Sequence, residues 1–299
     1  MKNTIAIITD VNDRFHSLRY LAQLMIPEWE KMGLRVVTVN PGSPFEPADL
    51  AILHPDISTD SPEILSLAEK YELVVNGAVH DIRKTHISDH LVSRGDSYEG
   101  PVIVKTNGNA GGRHDFKATV MKSKILRRFD SPVLERLAWP VIGKVDQLRP
   151  WADRTALSAS QYRIFTDAGK VPRKVWSNPH FVVEKFLSER VGSLYSCRHW
   201  LFFGKEEVGR RSLSTSPVVK GGAQIEPLDE AVPPTIRDLR RKLGFDYGKF
   251  DYGIVDGEAI LYDANRTPGL SRHVHLHRST ATTLAAGIRE FIPNLIPRF

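Results

Sequence analysis

KFDYGIVDGEAILYDANRTPGL, residues 249–270, decides how this chain is read. Two alternating apolar runs flank Asp256-Gly257, a dipeptide that favours a tight β-hairpin turn. One arm carries Asp251, and the other carries Asp263 and Asn265. Register settles whether these side chains meet. A two-residue turn at Asp256-Gly257 pairs Val255 with Glu258 and sets Asp251 opposite Tyr262, which sends the two acids to different faces. A three-residue loop, Asp256-Gly257-Glu258, pairs Val255 with Ala259 and sets Asp251 opposite Asp263. Asn265 then shares a face with Asp263, because strand side chains alternate. Directly opposed carboxylates repel, so the three-residue register, which is the expectation, needs a cation. Oxygen donors of this kind suit Mg2+, which takes further ligands from water and nucleotide phosphates. The alternative is a solvent-facing acidic hairpin without an ion.

Outward from the hairpin, 299 residues are enough for one large core or for two to three packed subdomains. The 41% hydrophobic and 25% charged content is that of a globular protein. No segment approaches the ~18 consecutive apolar residues of a membrane helix. The opening MKNTIAIITDVNDRF carries Asp10 and Asp13 and lacks a small-residue cleavage pattern, so it reads as a first core strand and not as a signal peptide. Cys197 is the only cysteine, which excludes an internal disulfide and suits a reducing cytoplasm; a buried, unreactive thiol is expected. The net charge of +6 comes from dispersed basic residues without a nucleic-acid signature. It fits a solvated face or attraction of an anionic small molecule.

The first eighty residues alternate strands (TIAIIT, LRVVTVN, ADLAILH, LVVNG) with helices (HSLRYLAQLMIPEWEKMG, SPEILSLAEKY). That pattern predicts a small parallel α/β unit over 1–80. The G-x-G-x-x-G fingerprint is missing after the first strand, which removes a nicotinamide reading. HDIRKTHISDHLV (80–92) is predicted helical, YRIFTDAGKVPRKVW (162–176) reads as a hairpin, and PPTIRDLRRKLG (233–244) as a helix. Residues 117–160 are less periodic.

Two further stretches carry chemistry. PVIVKTNGNAGG delivers Lys105 from a strand to a loop where Gly108, Gly111 and Gly112 leave backbone N–H groups able to cover phosphates. It is not a Walker A loop, and alone it is equally a plain turn. FVVEKFLSE ends an apolar run in Glu184, with Lys185, Phe186 and Leu187 following, as a connector offering an adenine edge backbone groups and one acceptor would do. Alone it reads more readily as a strand with a surface Glu-Lys pair.

In this order the three motifs resemble the ATP-grasp superfamily of carboxylate–amine ligases, which includes D-alanine–D-alanine ligase. The resemblance spans most of residues 1–275 and is most specific in FDYGIVDGEAILYDANRTPG, which is similar to the family's D-x(n)-[DE]-x-N-x-x-P-G ending. It implies an α/β fold: a parallel α/β subdomain (1–80), an N-lobe with the Gly-rich loop and an insertion (81–180), and a C-lobe with the metal motif (181–299), the two lobes enclosing ATP. By position it makes Asp251, Asp263 and Asn265 the ligands of Mg2+, for which Mn2+ can substitute. Lys84, Lys105 and Lys220 would contact phosphates with Gly111 and Gly112. Glu184, Lys185, Phe186 and Leu187 would line the adenine pocket. Glu189 would replace the ribose-binding acid, and Lys249 stands where an Arg often precedes the first metal Asp.

The implied reaction activates a small-molecule carboxylate as an acylphosphate for attack by an amine or another nucleophile, with Lys105, Lys220, Lys249 and Arg266 as catalytic groups. Arg266 and Arg272 are suited to a bidentate grip on a carboxylate. His273, His275 and His277 alternate as on a strand; a substrate-facing His273 is preferred to zinc, because no zinc motif accompanies them. Asp10, Asn12 and Asp13 follow the first strand at its C-terminal end, where open α/β sheets bind ligands. A small-molecule kinase and a non-catalytic ATP-binding module are the alternatives. No nucleic-acid or membrane partner is expected; the oligomeric state stays open, a homodimer included.

Overall fold

Strands rich in Ile and Val, separated by helices with one apolar stripe, must cover both faces of a sheet to leave water. The computed structural model, which describes residues 3–13, 15, 17, 20–121, 132–219, 224–228, 230–270 and 274–292 (with side chains of 132–138 and 274–276 excepted), shows this arrangement at the start of the chain. Strands β1 (Thr4–Ile8), β2 (Arg35–Val39), β3 (Leu50–Leu53) and β4 (Val74–Val75) form an all-parallel sheet in the order β2-β1-β3-β4. Every residue of the central β1 is buried. Helix α1 (Leu21–Lys31) buries Leu21, Met25 and Trp29, an i, i+4, i+8 stripe, and Gly33 follows it at φ 88°. Helix α2 (Pro62–Ala68) starts on Pro62, where a missing N–H costs nothing.

The chain divides into two compact units. The larger joins Met1–Asp56 and Asp60–His80 to Ser188–Phe299; the smaller joins Ile57–Thr59 to Asp81–Leu187. The first and last segments, separate in the sequence reading, thus share one unit. In the smaller unit, helix α3 covers only Lys84–Ile87 of the expected 80–92. Residues 90–92 are claimed by a strand: the Val92 N–H donates to the Val183 carbonyl (2.8 Å) and the His90 carbonyl accepts from the Lys185 N–H (2.9 Å). Strand β5 (Val102–Thr106) is followed by helices α4 (Arg113–Met121) and α5 (Pro132–Leu148). It lies between β6 (Arg163–Phe165) and β7 (Phe181–Lys185), both antiparallel to it. The expected hairpin at 162–176 has only its first arm. Pro172 lacks a ladder donor and instead precedes helix α6 (Arg173–Ser177).

The larger unit ends in an antiparallel sheet. Strands β8 (Glu189–Val191), β9 (Leu194–Phe203), β10 (Glu206–Ser214), β11 (Gln224–Pro227), β12 (Tyr247–Val255) and β13 (Glu258–Asn265) run in the order β11-β10-β9-β12-β13, with β8 also on β9. Helix α7 (Pro234–Lys242) precedes β12, and α8 (Val274–Ala285) follows β13. A single core joins Ile5, Met25, Trp29 and Ile52 to Phe203, Tyr247, Leu284 and Ile288. The Trp29 indole donates to the Ala285 carbonyl (3.0 Å), and the buried Asn76 side chain bonds the backbone of Asp246 and Tyr247. Because 274–285 is helical, His275 and His277 belong to a helix and not to the expected strand, while His273 lies outside the described residues. No helix among the described residues is long and apolar enough to cross a membrane.

Candidate active site

The hairpin of β12 and β13 turns in two residues. Val255 pairs with Glu258, and Asp256 (φ 52°) and Gly257 (φ 84°) both take the left-handed conformation of a type I′ turn. On that register alone Asp251 would face Tyr262. The ladder instead shifts between Asp251 and Tyr252, so Tyr252 pairs with Leu261 and Asp251 with Asp263. Tyr262 is the extra residue of a β-bulge, which corrects the expected three-residue loop while leaving the two acids opposed. Gly253 makes the bulge possible, because a Cβ there would collide with the Tyr262 ring. The Tyr262 hydroxyl then accepts from the Glu189 N–H (3.1 Å).

Asp251 is held on both oxygens. His199 Nδ1 lies 2.5 Å from Oδ1, and Lys249 Nζ lies 2.9 Å from Oδ2. Burial works to raise the Asp251 carboxyl, but Lys249 and His199 hold it well below the usual carboxylate range. Lys249 itself loses solvation, yet Asp251 raises its ammonium above the ordinary lysine value. Asn265 Oδ1 accepts from the Thr267 N–H (2.8 Å), which fixes it at the end of β13. These oxygen donors, with two carboxylates forced face to face, fit a hard dication.

The smaller unit holds the other candidate residues. Lys105 and Glu184 are diagonal neighbours across β5 and β7, and their side chains form a buried ion pair of 2.5 Å. Among the described residues, the buried Glu184 Oε1 has no hydrogen-bond partner. A buried acceptor without a donor is costly, so the site fits a ligand that brings one, as an adenine amino group does. Beyond it, the Phe186 N–H donates to the Pro101 carbonyl (2.8 Å), Leu187 N–H turns back to the Lys185 carbonyl (3.2 Å), and the Lys185 ammonium lies over the Tyr98 ring. Lys84 is buried at the start of α3, and its N–H donates to the Asn107 carbonyl (2.9 Å).

The Gly-rich loop differs from its expectation as an open cover. Ala110, Gly111 and Gly112 have positive φ, and Gly111 packs on the Leu157 carbonyl too closely for any Cβ. Asp115 holds the Ser58 N–H and hydroxyl, each at 2.6 Å, and Ser58 Oγ accepts from the Asn109 N–H (2.7 Å). The glycines here serve close packing, and part of the loop's N–H groups already have partners.

No protein-family model matches the chain, and no curated protein sequence matches it. Solved structures do. D-alanine–D-alanine ligase from Bacillus anthracis is 11% identical with a TM-score of 0.44, covering 97% of this chain and 99% of that one. A RimK domain ATP-grasp protein from Sphaerobacter thermophilus DSM 20745 is 14% identical with a TM-score of 0.45, covering 96% and 100%. The ATP-grasp ligase PsnB, solved with a minimal precursor, is 10% identical with a TM-score of 0.50, covering 96% and 100%. The fold is the ATP-grasp fold. At such identities the likeness shows the fold alone.

Within this ATP-grasp fold two expected roles change. Arg266 is fully buried: its guanidinium pairs with both oxygens of Asp60 (3.0 and 2.5 Å) and with the Val79 carbonyl, in place of a substrate carboxylate. Glu189 is committed as well. Its carboxylate takes three bonds from Arg198 at 2.9–3.0 Å and one from the Ile254 N–H (2.9 Å), which leaves it a poor ribose acceptor. Asp10 closes a turn by accepting from the Asn12 N–H (2.8 Å), and the Tyr20 hydroxyl lies 2.6 Å from both Asp13 and Asp56. Lys220, Arg272 and His273 lie outside the described residues. Sequence reasoning missed His199 and Ser212. Alternation along SLYSCRHWLFF puts His199 on the Cys197 face, but only strand pairing sets it opposite Asp251.

Proposed function

We propose that this protein is an ATP- and Mg2+-dependent ligase that activates a carboxylate as an acylphosphate for attack by an amine or another nucleophile. The observation that carries this reading is the bulge-imposed opposition of Asp251 and Asp263, which with Asn265 puts the oxygen donors that a hard dication takes at the end of one hairpin. Mg2+, when bound, supplies charge neutralisation at the ATP phosphates. Asp251, Asp263 and Asn265 would hold it. Lys249 orients Asp251, with which it already pairs. Lys105 pairs with Glu184 here, and nucleotide binding would redirect its charge toward phosphate while Glu184 accepts from the adenine amino group. Lys84 and Lys220 add positive charge at the phosphates, and Lys185, Phe186 and Leu187 frame the base. The residues that follow the first strand, Asp10 and Asn12, together with Arg272 and His273, are assigned to substrate. The chain's part in the reaction is positioning and charge stabilisation, with no covalent enzyme nucleophile.

The test is an ADP-release screen over amino acids, small carboxylates and acidic peptides with and without amines, followed by mass analysis of products. ADP release that needs both an acid and an amine, and yields an amide, supports the ligase. A stable phosphorylated product without an amine would make the protein a kinase. ATP binding without turnover across the screen would make it a binding module.

A further inference from the structure

Antiparallel pairing brings a second donor set to the edge of the Mg2+ residues. Cys197 and His199 are two apart on β9 and share a face, and His199 pairs with Asp251 on β12. Among the described residues, Cys197, His199 and Asp251 are the group whose ligand atoms fit around one ion, all within 4.8 Å of one another. Sγ of Cys197 lies 3.9 Å from Nδ1 of His199, which lies 2.5 Å from Oδ1 of Asp251. The outer shell is also in place. Ser212 Oγ stands 2.7 Å from the other ring nitrogen, Nε2, and Lys249 holds the second oxygen of Asp251.

We propose that Cys197, His199 and Asp251 form a binding site for a borderline-soft dication of the Zn2+ class, distinct in donors from the Mg2+ site but sharing Asp251. Thiolate and imidazole select Zn2+ or Co2+, whereas Mg2+ prefers an all-oxygen shell. Three protein ligands leave a fourth position open for water or a phosphate oxygen.

Proton balance is straightforward. Without metal, the ionised Asp251 can only accept, so Nδ1–H of His199 donates to it. With metal on Nδ1, the imidazole would carry its single proton on Nε2 and donate it to Ser212 Oγ, as ligating histidines generally do with the ring nitrogen that holds no metal. The Cys197 thiol loses one proton to solvent as its sulfur binds. Occupation takes Asp251 from Mg2+, so Zn2+ acts as an inhibitor at this site.

The experiment is titration of the metal-free full chain with Co2+, followed in the near ultraviolet and visible. A thiolate-to-cobalt charge-transfer band, strong four-coordinate visible bands and their removal by Zn2+ are expected. Cys197→Ser abolishes the charge-transfer band. Ser212→Ala keeps the band but weakens Zn2+ binding about 10- to 100-fold. Asp263→Asn, which removes a proposed Mg2+ ligand and none of the three ligands proposed here, leaves the band intact, so the two proposals fail separately. Absence of the band in the wild-type chain, or its persistence in Cys197→Ser, overturns the proposal.

Discussion

Asp251 stands directly opposite Asp263 because Tyr262 is bulged out of the β12–β13 ladder over Gly253. The pairing holds through a space that only glycine leaves. Gly253→Val fills it, and overpacking of this kind costs about 1–3 kcal/mol. The Tyr262 ring must then move, and the ladder returns toward the register set by its two-residue turn, with Asp251 facing residue 262. The expected outcome is a lower unfolding midpoint in urea together with weaker Mn2+ binding, read by titration of the metal alone. Wild-type Mn2+ affinity in a destabilised Gly253→Val would contradict the register argument.

Asp263→Asn keeps the shape of the side chain and removes one of the two facing charges. Repulsion across the strands falls, so thermal stability without metal should hold or rise slightly. Mg2+-dependent turnover should be abolished. Calorimetric melts read the first effect and ADP release with Mg2+ reads the second, and activity equal to the wild type would remove Asp263 from the metal site.

Arg266 and Asp60 form a buried, doubly bonded pair, both side chains inaccessible. Losing one partner of such a pair costs about 3–5 kcal/mol, because the other charge is left uncompensated. Arg266→Met should therefore unfold at a much lower denaturant concentration, and Arg266→Met combined with Asp60→Leu should recover part of the loss. A substrate-binding arginine would behave otherwise, raising KM at unchanged stability.

His54 is completely buried, and its ring packs against Phe15, Tyr20 and Tyr247. Desolvation lowers its pKa from 6.5 to about 4, against a smaller opposing effect of Asp56. The folded state thus takes up the proton later than the unfolded chain as pH falls. Above pH 6.5 the group is neutral in both states and stability is intact; between pH 6.5 and 4 only the unfolded chain binds the proton, and stability falls by roughly 3 kcal/mol. Urea unfolding at about pH 7.5, 5.5 and 4.5 should show this slope, and His54→Phe should flatten it. An equal slope in that variant would assign the acid sensitivity elsewhere.

Glu184 pairs with Lys105 through one oxygen, and its buried Oε1 has no hydrogen-bond partner among the described residues. Glu184→Gln keeps the shape, removes the charge opposite Lys105 and adds a donor where an acceptor is proposed for adenine. ATP affinity should fall by about 10-fold or more, in line with a lost charged hydrogen bond of ~1.5–3 kcal/mol. Equal binding of ATP and GTP to both proteins would argue against this residue reading the base.

Much of this molecule was legible locally. Alternating strands and helices before residue 80 fold as the sequence pattern says, since each element's period follows from its own backbone geometry. The acids of the closing hairpin were visible too, but their meeting depends on a bulge at Tyr262 that no local signal marks; the room for it lies on the other strand, at Gly253. The same holds for 90–92, whose helical pattern yields to the carbonyl and N–H groups of β7. His199 is the clearest case. Its type and position say little, and it gains meaning only because β9 pairs with β12 on one side and β10 on the other, bringing Asp251 and Ser212 to its two nitrogens. Sequence by itself determined the elements and the chemical groups available, because propensity and alternation act over a few residues. Only the tertiary structure decided which groups meet and which are buried, because strand register and burial depend on contacts between residues far apart in the chain.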